Sequence, residues 1–162
     1  MDNNENTQGL IELYQGEIFG EILFDEMLSF FDDADKIYKI SVLLQLETET
    51  KARLRPSMVE AGHDLRELEA SRNAAMDMVS AIKGKTWDEI MLFIRDAVKP
   101  AVEHYKDLAN NLPAKYTHIG EGMVKHEQSI IDFVELEIAG KSDQSIDLIS
   151  AQLINTLPCN KI

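Results

Sequence analysis

Apolar residues recur every three or four positions along most of the chain, and short polar or glycine-containing breaks separate these runs. This period is that of one face of an α-helix, and no run shows the sustained alternation of a strand. The pattern therefore predicts an all-α protein with helices over residues 8–31, 34–60, 64–83, 87–111, 114–139 and 143–156.

Residues that commonly begin or end helices support these limits. Asp32 or Asp33 can cap the second helix, and the sequence TWDE at 86–89 is a capping box that opens the fourth. Gly62 and Gly84 follow the second and third helices, where a left-handed residue commonly ends a helix. The breaks between helices are thus encoded locally.

Four of the predicted helices are long, about 24 to 27 residues or roughly 36 to 40 Å at 1.5 Å per residue. The first two are joined by a tight turn, as are the last two. A connection of about 25 residues, which carries the shorter third helix, lies between the pairs. Two hairpins joined by one long crossover predict a single-domain antiparallel four-helix bundle, with a plain up-and-down bundle as the alternative.

Several groups that can carry charge or bind a metal project onto or beside the apolar faces when each helix is drawn at 100° per residue. On the last long helix this is clearest, because His118 and Glu121 lie on a polar face opposite to them. Counting from the two hairpin turns places these groups in the middle third of the bundle. They are Glu17, Glu21, Glu47, His104, His126 and Glu127.

The helix order and the polar layer together resemble the ferritin-like superfamily of di-iron carboxylate proteins over residues 8–139. Its members carry a Glu from each of two helices and a Glu-x-x-His motif from each of the other two. By this resemblance, Glu17 or Glu21 corresponds to the carboxylate of the first helix. Glu47 corresponds to that of the second.

The remaining positions depart from the family pattern. Thr50 stands three residues after Glu47, where the family has histidine, and His104 occupies a layer where a carboxylate is expected. Glu127 is likewise not followed by a histidine at the third position, and the adjacent His126 is its substitute. The resemblance implies that these residues bind iron or another divalent metal and serve a di-iron-type oxidoreductase.

Charge and composition limit the kinds of partner that the protein can bind. The 162 residues contain 16 Lys and Arg against 29 Asp and Glu, a net charge of -13. Such acidity disfavours binding to nucleic acid or to an anionic membrane. The opening residues MDNNENTQG resemble no signal peptide and no stretch is apolar enough to span a membrane, so we expect a cytoplasmic protein.

Two functions remain open at this stage. The first is a metal-binding protein, acting as an oxidoreductase on dioxygen, peroxide or a small organic substrate. The second is a metal-free interaction or structural protein, in which Lys51 neutralises Glu17 or Glu47 within a buried polar network. Four or more inward carboxylates against one lysine favour metal or raised pKa values. The amphipathic final helix packs on the bundle or on a second copy, which would make a homo-oligomer.

Overall fold

The computed structural model describes residues 7–159, and the regular elements in that range are all helical. The prediction of an all-α protein is therefore confirmed. Short 3₁₀ turns occupy Ala114–Tyr116 and Ser142–Gln144. The α-helices are α1 Gln8–Met27, α2 Ala34–Glu60, α3 Glu69–Ile82, α4 Trp87–Asn111, α5 Thr117–Ile138 and α6 Asp147–Ser150.

The first helix ends at Met27, whereas the apolar pattern predicts it to residue 31. The next three backbone N–H groups bond to carbonyls only three residues earlier, which tightens the chain into a turn. Asp33 then caps α2 by accepting a hydrogen bond of 2.9 Å from the backbone N–H of Lys36. The turn keeps an apolar pattern because it packs against the core through Leu28, Phe30 and Phe31.

The segment before α3 is also not helical, although the sequence predicts a helix from residue 64. The Gln15 side chain on α1 accepts a hydrogen bond from the N–H of Leu68 and donates one to the carbonyl of Arg66, each at 3.0 Å. The Tyr14 hydroxyl donates to a further carbonyl of this segment. Side chains of α1 thus take up backbone groups that an earlier start of α3 would have paired within the helix.

The two hairpins, α1–α2 and α4–α5, pack side by side. Contacts between them fix their relative direction, and these include Lys39–Glu137, Thr50–His126, Glu12–His104 and Gly9–Leu112. The sequence numbers run in opposite senses across α2–α5 and across α1–α4, so both pairs are antiparallel. It follows that α2 and α4 point the same way, and the connection carrying α3 returns along the molecule while α3 packs on α1.

Two apolar clusters fill the interior. One lies towards the α1–α2 turn and includes Phe24, Leu43 and Phe133, and the other lies towards the start of α1 and includes Leu13 and Leu54. No helix within residues 7–159 combines the length and the apolar character needed to cross a membrane.

The chain after α5 is mostly irregular, where the sequence predicts one helix over 143–156. Only a short α6 forms, and its Ile149 is fully buried against the core of its own chain. Beyond α6, Glu49 of α2 accepts hydrogen bonds from the backbone N–H groups of Ile154 at 2.6 Å and Asn155 at 2.8 Å. The Glu49 carboxylate thus takes the place of the backbone carbonyls that a longer helix would have offered to these N–H groups.

We expect Glu49→Gln to lower the free energy of unfolding by about 2 to 3 kcal/mol near neutral pH, because hydrogen bonds to a charged group are worth about 1.5 to 3 kcal/mol. Burial alone would raise the pKa of Glu49, but hydrogen bonds from Ile154, Gln45 and Asn155 lower it from 4.5 to about 2. A lowered carboxyl pKa stabilises the fold above the unfolded value, and this contribution is lost as pH falls towards 2.

Urea denaturation of parent and variant at about pH 7 and about pH 3 measures this effect, since their difference should shrink at the lower pH. Glu60→Gln is the control on the same helix, because the exposed Glu60 makes only a surface ion pair with Lys115. It should change stability by less than about 0.5 kcal/mol. An equal loss in both variants would mean that Glu49 does not hold the terminal segment.

Candidate metal centre

Three buried polar side chains from three helices meet between the two apolar clusters. They are Glu17 of α1, Glu47 of α2 and His126 of α5, and one potential ligand atom from each lies within 4.8 Å of the others. His126 Nε2 is 3.3 Å from Glu47 Oε1 and 3.7 Å from Glu17 Oε1. The three residues are 0%, 3% and 1% exposed, respectively. Three of the six residues that the sequence predicts to face inward, Glu17, Glu47 and His126, thus lie close together inside the protein.

Helical periodicity explains why these charges are buried. Glu17 follows Leu13 by one turn, Glu47 follows Leu43 by one turn, and His126 precedes Ile130 by one turn. All three apolar neighbours belong to the core. Burial of the apolar stripe therefore takes the polar side chains inside as well, although desolvating a charge costs several kcal/mol.

Thr50 sets the orientation of the histidine. Its hydroxyl lies 3.1 Å from His126 Nδ1, which leaves Nε2 directed towards the two carboxylates. Thr50 is the residue three positions after Glu47, where the ferritin-like pattern has a histidine. Here that position supports a histidine from another helix instead of providing one.

Several of the central polar atoms have no hydrogen-bond partner within residues 7–159. Both carboxylate oxygens of Glu17 and Nε2 of His126 are in this state. The Nε2 atom is close to Glu47, but its N–H direction is not aligned with that carboxylate. Buried polar atoms are nearly always paired, so three unpartnered ones that converge suggest a ligand between them.

A second buried carboxylate shows what full pairing looks like in the same fold. Glu137 accepts hydrogen bonds from Trp87 Nε1 at 2.8 Å and from the hydroxyls of Ser142 and Ser145, and it forms an ion pair of 2.8 Å with Lys39. Burial would raise its pKa, but these partners lower it. The central cluster has no such lysine.

Two of the three central groups, Glu17 and His126, have raised pKa values, for different reasons. Burial holds the pKa of Glu17 well above its usual range. Burial would lower the pKa of His126, but the carboxylates of Glu17 and Glu47 raise it to about 10. Without metal, protons on Glu17 and His126 therefore balance the charge, and one divalent ion in place of two protons would leave that charge unchanged.

Glu127, next to His126, lies on the wall of a cavity beside the cluster. It is only partly exposed, and burial raises its pKa to about 7. No hydrogen bond to its carboxylate is present among the described residues. Glu127 is thus a further unpartnered carboxylate beside the cluster.

Glu21, another of the six predicted residues, faces a different part of the molecule. It accepts a hydrogen bond of 2.7 Å from Thr48 and forms an ion pair with Lys51. Lys51 therefore neutralises Glu21 rather than either of the buried glutamates. Lys51 thus takes no part in balancing Glu17 or Glu47 in a metal-free network, whereas His126 lies beside both.

His104 is the other predicted residue that the structure does not bring to the cluster. Its side chain is 55% exposed and lies 2.8 Å from Glu12 at the surface. The neighbouring Tyr105 faces inward from α4 instead and is 8% exposed. A difference of one residue turns a helical side chain by about 100°, which is enough to exchange the two positions.

Two glycines on α1 leave space for the side chains of Tyr105 and Glu47. A Cβ atom at Gly16 would overlap the Tyr105 hydroxyl, and one at Gly20 would overlap the Glu47 carboxylate. Glycine within a helix costs roughly 0.5 to 1 kcal/mol relative to alanine, so close approach is the physical reason for both. The sequence indicates close approach at these glycines, but not which side chains fill the space.

No protein-family model, curated protein or solved structure matches the chain. The fold and the site therefore define its class by themselves. It is an all-helical protein with a buried carboxylate–histidine group that could hold a metal ion.

We expect Gly20→Ala to destabilise the protein by about 1 to 3 kcal/mol, the usual cost of overpacking, because the new methyl group would displace the buried Glu47 carboxylate. Gly122→Ala is the matched control, because a Cβ there meets open space. It should stabilise the protein by about 0.5 to 1 kcal/mol through helix propensity. Urea denaturation of both variants decides, and a gain in stability in both would show that Glu47 does not lie against α1.

Proposed function

We propose that the chain binds one divalent metal ion, iron or a similar transition metal, through Glu17, Glu47 and His126. The observation that carries this proposal is the convergence of three buried donors within 4.8 Å, with the Glu17 oxygens and His126 Nε2 unpartnered in the described chain. The adjacent, unpartnered Glu127 is the residue that we assign as the fourth ligand.

The donor set suits such an ion. Carboxylate oxygens together with one imidazole nitrogen are ligands that Fe²⁺, Mn²⁺ and Zn²⁺ accept, whereas Mg²⁺ and Ca²⁺ prefer oxygen alone. The two buried carboxylates also balance the charge of a divalent ion. Thr50, bonded to Nδ1, would act from behind the ligand and fix the imidazole.

The helix order supports a ferritin-like bundle as the scaffold. The α1–α2 and α4–α5 hairpins are joined by a long connection, and α2 and α4 point the same way, which is the arrangement of that superfamily. Its di-iron sites draw ligands from all four long helices. Here α4 presents Tyr105 rather than a carboxylate, so we propose one ion per chain instead of two.

The activity that we propose for the metal-loaded protein is that of an oxidoreductase acting on a small molecule. A bound iron ion would supply redox chemistry with dioxygen or peroxide. The neighbouring cavity of about 540 Å³ would admit a small substrate to the side of the cluster formed by Glu47 and Glu127. The apolar residues on its wall would limit the entry of water.

A metal-free role is the second candidate, and one observation favours it. His126 Nε2 lies 3.3 Å from the Glu47 carboxylate and 3.7 Å from that of Glu17, so the protonated ring could be held between them without any metal ion. The chain would then be a structural or interaction protein with a buried polar network. Metal titration separates the two candidates.

We expect chelator-treated protein to bind about one Fe²⁺ or Mn²⁺ per chain under anaerobic conditions, with a dissociation constant below about 10 µM. Binding of Co²⁺ should give visible absorption bands that report the ligands. Glu17→Gln, Glu47→Gln and His126→Ala should each weaken binding by at least about tenfold, because each removes a ligand. Calorimetry and the Co²⁺ spectrum measure these changes.

His118→Ala and Glu121→Gln are the controls on α5, because both side chains are exposed. They should leave metal affinity unchanged and stability within about 0.5 kcal/mol of the parent. Equal behaviour of the two groups of variants would exclude the metal site. In the metal-free case no ion binds, and His126→Ala instead costs about 3 to 5 kcal/mol because it leaves the buried carboxylates unpaired.

Glu17→Met gives a further prediction, because Glu17 has no hydrogen-bond partner in the described chain. Without metal, the variant should be more stable than the parent by about 1 to 4 kcal/mol, as is found when buried ionisable side chains are replaced by packed apolar groups of similar volume. It should also lose the stabilisation that added metal gives the parent. Thermal melts with and without metal measure both effects.

Glu137→Met is the matched control for Glu17→Met. It should be destabilised by about 3 to 5 kcal/mol because Lys39 loses its buried partner. A destabilised Glu17→Met in metal-free protein would mean that Glu17 is paired in solution. That result would contradict the unpartnered carboxylate on which the site depends.

A further inference from the structure

An open groove lies between α3 and α4, with α1 as its floor and the cluster at its inner end. Small residues on α3 and α4 leave the space between them unfilled, and Ala70, Ala74, Ala97 and Ala101 all line the groove. The apolar part of the lining is formed by Phe19, Phe24, Met78, Val98 and Ile130. Its volume of about 540 Å³ lies in the range of small-molecule sites.

The charge of the groove has one sign. The charged residues that line it, among those the structure describes, are the acidic Glu12, Glu47 and Glu127, without any lysine or arginine. Lining carboxylates of one sign in a low-dielectric cleft concentrate cations and repel anions. Phosphates and carboxylates are therefore unfavourable occupants.

Some of the polar groups on the lining are already occupied. Gln15 is occupied by the segment before α3, and Glu12 pairs with His104 at the surface. By contrast, the Glu127 carboxylate and the Tyr105 hydroxyl have no hydrogen-bond partner among the described residues. The two groups interact, because after burial the Glu127 carboxylate is the main cause that raises the pKa of the Tyr105 hydroxyl.

We propose that this groove binds a compact apolar molecule carrying a protonated amine, with the ammonium group held by Glu127 and Tyr105. An ammonium offers three donors, so it can bond both the carboxylate and the hydroxyl oxygen. The apolar body of the ligand then covers Phe19 and Met78.

This proposal goes beyond metal binding and does not require it. The amine contacts are made by side chains on the groove wall, and the test uses protein from which metal has been removed. Glu127 is common to both proposals, so removal of the metal leaves its carboxylate open to the amine. Failure of metal binding at Glu17, Glu47 and His126 would not count against the amine site, and failure of amine binding would not count against those three ligands. A second copy of the chain is a less suitable occupant, because the groove ends in carboxylates rather than in an apolar floor.

The test is calorimetric titration of the metal-free full chain with three molecules of the same shape: cyclohexylmethylamine, cyclohexylmethanol and cyclohexanecarboxylate. We expect the amine to bind at least about tenfold more tightly than the alcohol, since a charge-assisted bond is stronger than a neutral one. The carboxylate should give no saturable binding. Equal affinities for amine and alcohol, tighter binding of the carboxylate, or no binding at all would overturn the proposal.

Single substitutions identify the side chains that contact the amine. Glu127→Gln should weaken the amine about tenfold and leave the alcohol unchanged, and Tyr105→Phe should weaken the amine by a smaller factor. Glu121→Gln, an exposed control on the same helix, should change neither. Ala101→Phe should fill the groove and abolish binding of both ligands.

Two further results count against the amine site. Undiminished amine binding in folded Glu127→Gln and Tyr105→Phe would place the ligand elsewhere. If sedimentation velocity shows that the parent protein is a dimer and that Ala101→Phe is a monomer, the groove is instead a contact between copies of the chain.

Discussion

The constraint on which this structure depends is the burial of two carboxylates that form no ion pair with a lysine or arginine of residues 7–159. Glu17 and Glu47 are enclosed between two apolar clusters, and within the described range the basic group close to both is His126. Taking charges out of water costs several kcal/mol for each ion, so the cluster must hold protons or a metal ion. Gly20 and Thr50 are there because of this cluster: one gives the Glu47 carboxylate space and the other orients the imidazole.

The chain also contains a buried carboxylate whose charge is fully paired. Glu137 is nearly as deeply buried, but Lys39, Trp87 and two serines satisfy it, so it contributes to stability by direct pairing. A carboxylate paired in this way is not free to bind anything else. Glu17, by contrast, accepts no hydrogen bond from residues 7–159, and His126 Nε2 lies 3.7 Å from its carboxylate.

The position of α3 leaves a groove that reaches Glu47 and Glu127 at the edge of the buried cluster. Side chains of α1 hold the segment before α3, and the small residues on α3 and α4 then leave a groove rather than a packed interface. If α3 packed closely on α4, the carboxylates would be sealed from solvent. The groove therefore makes both proposals physically accessible, because an ion and a small amine can reach Glu127 by the same opening.

Hydrophobic periodicity was enough to place α1 to α5, apart from some of their ends, and to put Glu47 and His126 inside, because a helical position on the apolar stripe is buried whatever the partner helix. It could not separate Glu17 from Glu21 or choose Tyr105 over His104. Such choices depend on how each helix is rotated about its own axis, by less than the roughly 100° that separates neighbouring residues. That rotation is set by contacts with other helices. The ends of α1 and α3 were also decided by tertiary contacts: the turn after α1 packs on the core, and Gln15 binds the backbone before α3. Whether the inward groups meet within ligand distance is likewise a property of three helices together, and therefore only the tertiary structure decided it.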